Sequence, residues 1–234
     1  TISIDEVTGD NVINAGEADD VTISGSTTGI EDDQTVTVTV NGSNVGTATV
    51  TGGAWSLEGV DLTETGQDLD DGELTVTATV EDQAGNPAEA TTNPVLDTVY
   101  GNDTDEDGSI TGASVTITDQ GGEKTINGEG ETATITGTIG EDGDRLDSLV
   151  ITDGNNGSLT VDLTGVTPDA NGAYTVTDVD VSGLADGKLT VTAKSTDVDD
   201  NKAESTDNVM LDKTPGTISI DEVTGDNVIN AGEA

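Results

Sequence analysis

The sequence contains no cysteine, histidine or phenylalanine, and only one tryptophan and two tyrosines. The absence of cysteine excludes a disulfide scaffold and thiol chemistry. No nucleophile arrangement based on histidine, cysteine or serine can be assembled, and no aromatic-lined cleft accompanies the acidic pairs to hold a sugar as in a glycosidase. The chain is therefore predicted not to be an enzyme. Its core must consist mainly of small aliphatic side chains, as in small β-sandwiches.

Positive charge is also scarce. The chain has 48 acidic and 6 basic residues, which gives a formal charge of −42. Residues 1–97 contain no lysine or arginine at all, so salt bridges cannot neutralise the first half of the chain. Self-repulsion of this size disfavours a compact state unless cations are bound. The same charge excludes nucleic acid and anionic membrane as expected partners, because both are polyanions.

Long apolar segments are missing as well. No run of about 18 apolar residues occurs, so the sequence predicts no direct membrane insertion, and no signal peptide is visible. High net charge with few aromatic residues is also typical of disordered chains. The repeated alternation of polar and apolar residues nevertheless favours a folded protein.

Internal repeats organise the chain. Residues 1–18, TISIDEVTGDNVINAGEA, recur unchanged at 217–234, and residues 69–97 align without gaps to residues 184–212. The chain therefore contains two diverged copies of one domain and the start of another. The predicted domains are a first unit at 1–97, a second unit with a longer acidic linker at 98–213, and the start of a third unit at 214–234.

Short strands are predicted throughout. In TVTVTV at 35–40, valine alternates with threonine, which indicates a β-strand. Clusters of glycine, asparagine and aspartate interrupt such segments at intervals typical of a sandwich. Seven strands are predicted in the first unit, near 1–5, 20–26, 35–41, 45–51, 54–60, 73–81 and 89–97. The fold class is therefore all-β, with tandem immunoglobulin-like seven-stranded antiparallel β-sandwiches arranged end to end.

Acidic residues concentrate where neighbouring sandwiches would touch. Alternate loops of a sandwich lie at opposite ends, so acids at the C-terminal end of one unit meet acids at the N-terminal end of the next. Calcium takes about six to eight oxygen ligands, so these acids are candidate ligands; the alternative is that aspartates at strand ends cap turns. The candidates retained in both copies are the pairs Asp82 and Asp197, Asp97 and Asp212, and Asp71 and Asp186.

The linker after the first unit carries a calcium-loop fragment. Asp103, Asp105 and Asp107, followed by Gly108, form the DxDxDG opening of an EF-hand-type loop. The twelfth position of that loop is Ser114 rather than glutamate, and no flanking helices are predicted. The motif therefore predicts a calcium site on a sandwich linker, with a solvated acidic turn as the alternative.

The first loop carries a weaker version of this pattern. Asp10, Asn14 and Glu17 lie within GDNVINAGE and are further candidate metal ligands. The second copy has changed at this place, with Lys124 near the position of Asn11.

Two other features have an alternative functional interpretation. Rows of threonine suggest a hydroxyl array for ice or sugar, although threonine is simply a good strand residue. Trp55 and Tyr174 occupy equivalent positions and suggest either sugar stacking or a shared core site; the shared position favours the core.

The segments TISID-VTGDNVINAGEA, D-AGNPAEA and LD before the next unit resemble the bacterial immunoglobulin-like repeats of giant type I-secreted RTX and Bap-type adhesins. The resemblance implies Ca²⁺ at the domain junctions, type I secretion and an extracellular position at the bacterial cell surface. In such repeats the calcium ligands would correspond to Asp97, Asp103, Asp105, Asp107 and Asp197. The RTX nonapeptide itself is absent from this sequence.

The predicted function is therefore that of a calcium-rigidified extender that projects a distal adhesive domain for attachment or biofilm formation. Its expected partners are neighbouring repeats of the same chain, joined through several Ca²⁺ ions, and the chain is expected to be monomeric. The alternative is a module of the same kind of surface protein that itself binds glycan or ice.

Overall fold

A computed structural model describes residues 1–63, 69–101, 112–128, 132–140, 144–221 and 231. These residues form only β-strands and their connections, so the prediction of an all-β fold is confirmed. None of the described residues belongs to a helix of the length and hydrophobicity needed to cross a membrane.

The first unit contains nine strands, several of them short. They are β1 (Val12–Asn14), β2 (Val21–Ser26), β3 (Thr35–Val40), β4 (Ser43–Thr49), β5 (Ala54–Val60), β6 (Gly72–Glu73), β7 (Val76–Glu81), β8 (Pro87–Thr92) and β9 (Val95–Asp97). Strands β2 and β5 pair on one side, and a four-stranded antiparallel sheet has the order β4-β3-β7-β8. The remaining sheet has the order β1-β9-β6, in which β1 and β9 are parallel.

The prediction of seven strands for the first unit is wrong at 1–5, at 73–81, which is divided into β6 and β7, and at 89–97. Residues 1–5 do not form a regular strand; the N–H groups of Ser3 and Asp5 donate to the carbonyls of Ser26 and Ser24 beside β2. The chain then crosses to the other sheet and forms β1 in a segment predicted to be a loop. The predicted last strand is interrupted before Pro94, which has no N–H to donate to a neighbouring strand.

The second unit repeats this arrangement. Its strands are β10 (Ser114–Asp119), β11 (Thr125–Asn127), β12 (Thr132–Thr138), β13 (Arg145–Thr152), β14 (Ser158–Thr160), β15 (Ala173–Asp180), β16 (Gly187–Thr196) and β17 (Lys202–Asp212). The sheets have the orders β10-β12-β15 and β11-β17-β16-β13-β14, and β11 runs parallel to β17. Strand β17 is continuous because Val209 replaces the proline.

Each unit has its own hydrophobic core, and the two cores share no residue. The single tryptophan and Tyr174 are each buried opposite a glycine of the neighbouring strand: Trp55 pairs with Gly25, and Tyr174 with Gly137. A Cβ atom added to Gly137 would lie 2.2 Å from the carbonyl oxygen of Ser114 and 2.4 Å from the tyrosine hydroxyl. The glycines therefore make room for the aromatic rings, which agrees with a core role for both aromatics.

Candidate metal centre at the first junction

The N-terminal end of the second unit presents a tight turn between β16 and β17. The Oδ1 atom of Asp197 accepts hydrogen bonds from the N–H groups of Asp199, at 3.1 Å, and Asn201, at 2.7 Å. The N–H of Asp197 in turn donates to the carbonyl of Asn201, at 3.0 Å. These bonds hold the carboxylate in a fixed position because they use the backbone at both ends of the turn.

The C-terminal end of the first unit lies against this turn. Asp97, the last residue of β9, is only 3% exposed, and Asp197 is 6% exposed. The N–H of Gly101, in the chain leaving the first unit, donates to Oδ2 of Asp197 at 3.2 Å. The side chain of Asn201 donates from Nδ2 to the carbonyl of Asp97 at 3.1 Å. The predicted meeting of acids from two adjoining units therefore occurs at this place, which we call the first junction.

Tyr100 closes one side of the first junction. Its hydroxyl accepts a hydrogen bond from the N–H of Gly140 at 3.0 Å and forms a hydrogen bond with the side chain of Ser195. Burial raises the pKa of Tyr100 above its usual value. The residue therefore joins the linker to two separate segments of the second unit.

The first junction has a surplus of negative charge. Burial, a hydrogen bond with Asp199 and the negative charges of Asp199 and Asp197 together raise the pKa of Asp97 from 3.8 to about 6. No ion pair in the described part of the chain involves any of these three aspartates. The ion pairs found there are Lys124–Asp207, Arg145–Asp147 and Lys194–Glu204.

The donor atoms at the first junction suit a hard divalent cation. Carboxylate and carbonyl oxygens are the ligands that calcium prefers, and buried carboxylates without a basic partner are stabilised by a cation. Across the described ranges, no group of three or more acidic side chains is arranged closely enough to hold an ion. Asp97 and Asp197 therefore stay candidate ligands that would need further oxygen donors to complete a coordination shell. Asp103, Asp105 and Asp107 of the linker motif lie outside the described residues.

The equivalent aspartates at the other ends of the two units are more exposed. Asp82 forms the same turn as Asp197, with Oδ1 accepting from the N–H groups of Ala84 and Asn86. Hydrogen bonds from Asn86 hold the pKa of Asp82 below its usual value. Asp212, the counterpart of Asp97, is exposed and accepts a hydrogen bond from the N–H of Thr214 at 3.1 Å. Turn capping accounts for the hydrogen bonds of both residues in the described part of the chain.

Asp71 and Asp186 anchor the chain just after the last strand of each unit. Asp71 accepts hydrogen bonds from the N–H and the hydroxyl of Thr98, at 3.2 and 2.8 Å. Asp186 accepts in the same manner from the N–H of Lys213, at 3.1 Å, and the hydroxyl of Thr214, at 2.9 Å. Their position at the C-terminal ends is as expected, and their carboxylates fix the direction in which the linker leaves the unit.

The three candidates of the first loop face two separate turns. Asp10 accepts from the N–H of Val12 at 3.0 Å. Asn14 and Glu17 share the next turn, where Oδ1 of Asn14 accepts from the N–H of Gly16 and Oε2 of Glu17 accepts from the N–H of Asn14. The structure thus brings Asn14 and Glu17 together, and Asp10 caps its own turn.

Sequence reasoning missed the contribution of Asp199, Tyr100 and Asn201 to the first junction. Only Asn201 had a signal, since it aligns with Asn86 between the two copies. The side chain of Asn201 contacts both Asp97 and Ala15 of the first unit, and such a contact depends on how the units meet.

Solved structures of bacterial adhesins match most of this chain. One is the structure of a Ca²⁺-stabilized adhesin that helps an Antarctic bacterium reach out and bind ice; it is 29% identical, with 99% of this chain and 54% of that chain covered and a TM-score of 0.57. Another concerns host cell surface retention of a 1.5-MDa bacterial ice-binding adhesin. It is 25% identical, the match covers 92% of this chain and 65% of that chain, and the TM-score is 0.54.

A bacterial immunoglobulin-like domain from the M. primoryensis ice-binding adhesin is 33% identical, with 42% of this chain and 96% of that domain covered and a TM-score of 0.29. No protein-family profile and no curated protein matches the chain. The chain spans about half to two thirds of the length of the two larger adhesin structures. Its fold, its internal repeats and these two matches show that the chain consists of tandem immunoglobulin-like repeats similar to those of large bacterial adhesins.

Proposed function

We propose that the chain is a calcium-rigidified extender of a bacterial cell-surface adhesin, a mechanical element without enzymatic activity. The observation that carries this proposal is the burial of Asp97 against Asp197 between two adjoining units, without an ion pair to either. A related adhesin is described as Ca²⁺-stabilized, which supports the choice of cation. The role of the extender is to hold a distal adhesive domain away from the cell for attachment or biofilm formation.

The side chains of the first junction would hold calcium with Asp97 and Asp197 from the two units and with the three aspartates of the linker motif. Calcium supplies two positive charges and requires about six to eight oxygen ligands. The carboxylates that repel one another across the junction then become ligands of one shell. Asp71 contributes by fixing the start of the linker through Thr98.

Charge neutralisation couples this stiffening to the location of the protein. A cation that binds the folded junction and not the unfolded chain stabilises folding by mass action, by about 2.7 kcal/mol at a hundredfold excess over the dissociation constant. At low intracellular calcium the acidic chain would remain poorly folded, which suits type I secretion. Outside the cell it would fold and join its neighbouring repeats, and we place it at the bacterial surface as a monomer.

The alternative function, binding of glycan by the repeat itself, loses support from the positions of the aromatic residues. Trp55 and Tyr174 are buried in the two cores, and Tyr100 is engaged at the first junction. These are all the aromatic residues of the chain. No stacking platform for a sugar ring is therefore formed. The threonine rows follow the strands, as expected for residues with high strand propensity.

Calcium titration by calorimetry tests the proposed site with a matched pair of variants. Asp197→Asn removes a charge at the first junction, whereas Asp82→Asn makes the same change in the equivalent turn of the first unit. We expect Asp197→Asn to weaken at least one calcium site by about tenfold or more, because one charged ligand is lost, and Asp82→Asn to leave that site unchanged. Crystals grown in calcium, with anomalous scattering to locate the ions, should show density beside Asp97. Equal titrations for both variants, or an absence of calcium binding, would refute the assignment.

A further inference from the structure

We propose that Asn201 is a positioning residue that fixes the orientation of two adjoining units by binding the backbone of the preceding unit, independently of calcium. This inference rests on the proposed function only in that it concerns the same junction. It assigns to a neutral side chain a task that charge neutralisation alone does not perform, since a cation's attraction to carboxylates is not directional and permits more than one orientation of the two units.

The contacts of Asn201 join two distant segments of the first unit. The residue is 3% exposed. Its Nδ2 donates to the carbonyl of Asp97, at 3.1 Å, and its Oδ1 accepts from the N–H of Ala15, at 2.9 Å. A primary amide carries a donor and an acceptor side by side, as a peptide group does. Asn201 therefore bridges the last strand and the first loop of the neighbouring unit with two directional bonds.

The first unit contains the same turn, and there the described residues place no other unit against it. Asn86 occupies the position of Asn201 in its turn, but its Nδ2 donates to Oδ2 of its own Asp82 at 2.8 Å. In the second unit the corresponding oxygen of Asp197 accepts instead from Gly101, at 3.2 Å. The side chains of the Asp82 turn therefore satisfy each other. In the Asp197 turn, Asn201 instead binds the preceding unit, and one carboxylate oxygen of Asp197 binds the linker.

The side-chain amide therefore has a hydrogen-bond partner in each of the two turns. Burying an amide without a partner costs about 1–3 kcal/mol, so the buried amide of Asn201 must find both backbone groups. The carbonyl of Asp97 and the N–H of Ala15 lie within reach of this amide only when the last strand and the first loop of the preceding unit have the observed orientation. Since both are backbone atoms, the recognition depends on the path of the chain rather than on its side chains. A single geometry can thus be propagated between diverged repeats.

The chemistry of the position favours asparagine. Aspartate keeps the acceptor for Ala15 but loses the donor, and it places a further negative charge against the carbonyl of Asp97. Alanine removes both bonds and leaves the N–H of Ala15 and the carbonyl of Asp97 without the partner they have here. In both variants the backbone bonds between residues 197 and 201 remain possible, so the turn itself is retained.

Double electron–electron resonance, which measures the distance distribution between two spin labels, tests the inference on the full chain. The chain has no cysteine, so Ser43→Cys and Ser158→Cys provide one exposed label in each unit. In saturating calcium, we expect Asn201→Ala to broaden the distance distribution about twofold or more, because the orienting bonds are lost. The control Asn86→Ala removes the matching amide at the Asp82 turn and should leave the distribution unchanged.

The variant Asn201→Asp gives a second test that retains the contact with Ala15, and circular dichroism checks that each variant stays folded. The inference is overturned if Asn201→Ala and Asn201→Asp both give the parental distribution, or if Asn86→Ala broadens it equally. The parental chain in calcium and in EDTA reports separately on the proposed function. If those two distributions are equal while Asn201→Ala is broad, calcium stiffening fails and the asparagine contact stands.

Discussion

The substitution Asp97→Asn replaces a carboxylate at the first junction by a neutral amide. It separates the cost of the buried negative charge from the role of that charge in metal binding. The ionised form of Asp97 is destabilised in the folded chain, because burial and the neighbouring Asp199 and Asp197 raise its pKa from 3.8 to about 6. One pKa unit corresponds to about 1.4 kcal/mol. Burial and the neighbouring charges therefore destabilise the ionised form by at most about 3 kcal/mol in total, and water at the edge of the junction reduces this to roughly 1–3 kcal/mol.

The asparagine retains the oxygen that accepts from the N–H of Val99, and its NH₂ group is a donor for Asp199. In EDTA near neutral pH, we therefore expect Asp97→Asn to stabilise the chain by about 1–3 kcal/mol. In saturating calcium the order should reverse, because the variant has lost a charged ligand. Thermal and urea denaturation of the parent and the variant, each in EDTA and in calcium, measure both effects.

The matched control is Asp212→Asn, which makes the same change at the exposed equivalent position of the second unit. We expect its effect in either condition to be within about 0.5 kcal/mol, as for ordinary surface substitutions. If Asp97→Asn destabilises the chain in EDTA, or if calcium stabilises variant and parent equally, the assignment of Asp97 as a repelled metal ligand is wrong.

Further predictions concern pH, packing and the linker. Since the folded-state pKa of Asp97 is raised, its contribution to stability in EDTA is complete below about pH 4 and is lost as the pH rises through about 6. Stabilisation by calcium should instead weaken as the pH falls through the same range. Melting curves at several pH values, in EDTA and in calcium, measure both dependences. Gly137→Ala should destabilise the second unit by about 1–3 kcal/mol through overpacking, measured by urea denaturation, whereas the added Cβ of Gly183→Ala meets no atom within 4 Å and should have little effect. Alanine at all three aspartates of the linker motif should loosen the first junction in scattering experiments, with the circular dichroism of both sandwiches retained.

The periodicity of the sequence predicts the long strands well and the short ones poorly. Alternating valine and threonine predict β3 because one face of that strand is buried, and burial is what the pattern reports. Strand β1 has only three residues, and it exists because β9 lies beside it in parallel pairing. No local pattern reports such a long-range pairing. For the same reason the glycine opposite each buried aromatic ring is visible only in the folded chain.

The repeats predict the ends of the units better than the role of each acid there. Alignment of the two copies identifies Asp97 and Asp197, and the structure brings these two together. The alignment does not distinguish them from Asp82 and Asp212, because Asp97 and Asp197 are buried by contacts between the two described units, which no local pattern reports. Likewise, the sequence shows that Asp10 is acidic but not that its carboxylate faces the backbone of its own turn.

Small-angle X-ray scattering of the whole chain across a calcium titration measures whether calcium stiffens the first junction. We expect a flexible profile in EDTA that becomes that of an extended rigid particle in millimolar calcium, together with a higher melting temperature. Scattering profiles and melting temperatures that do not change between the two conditions would contradict this expectation.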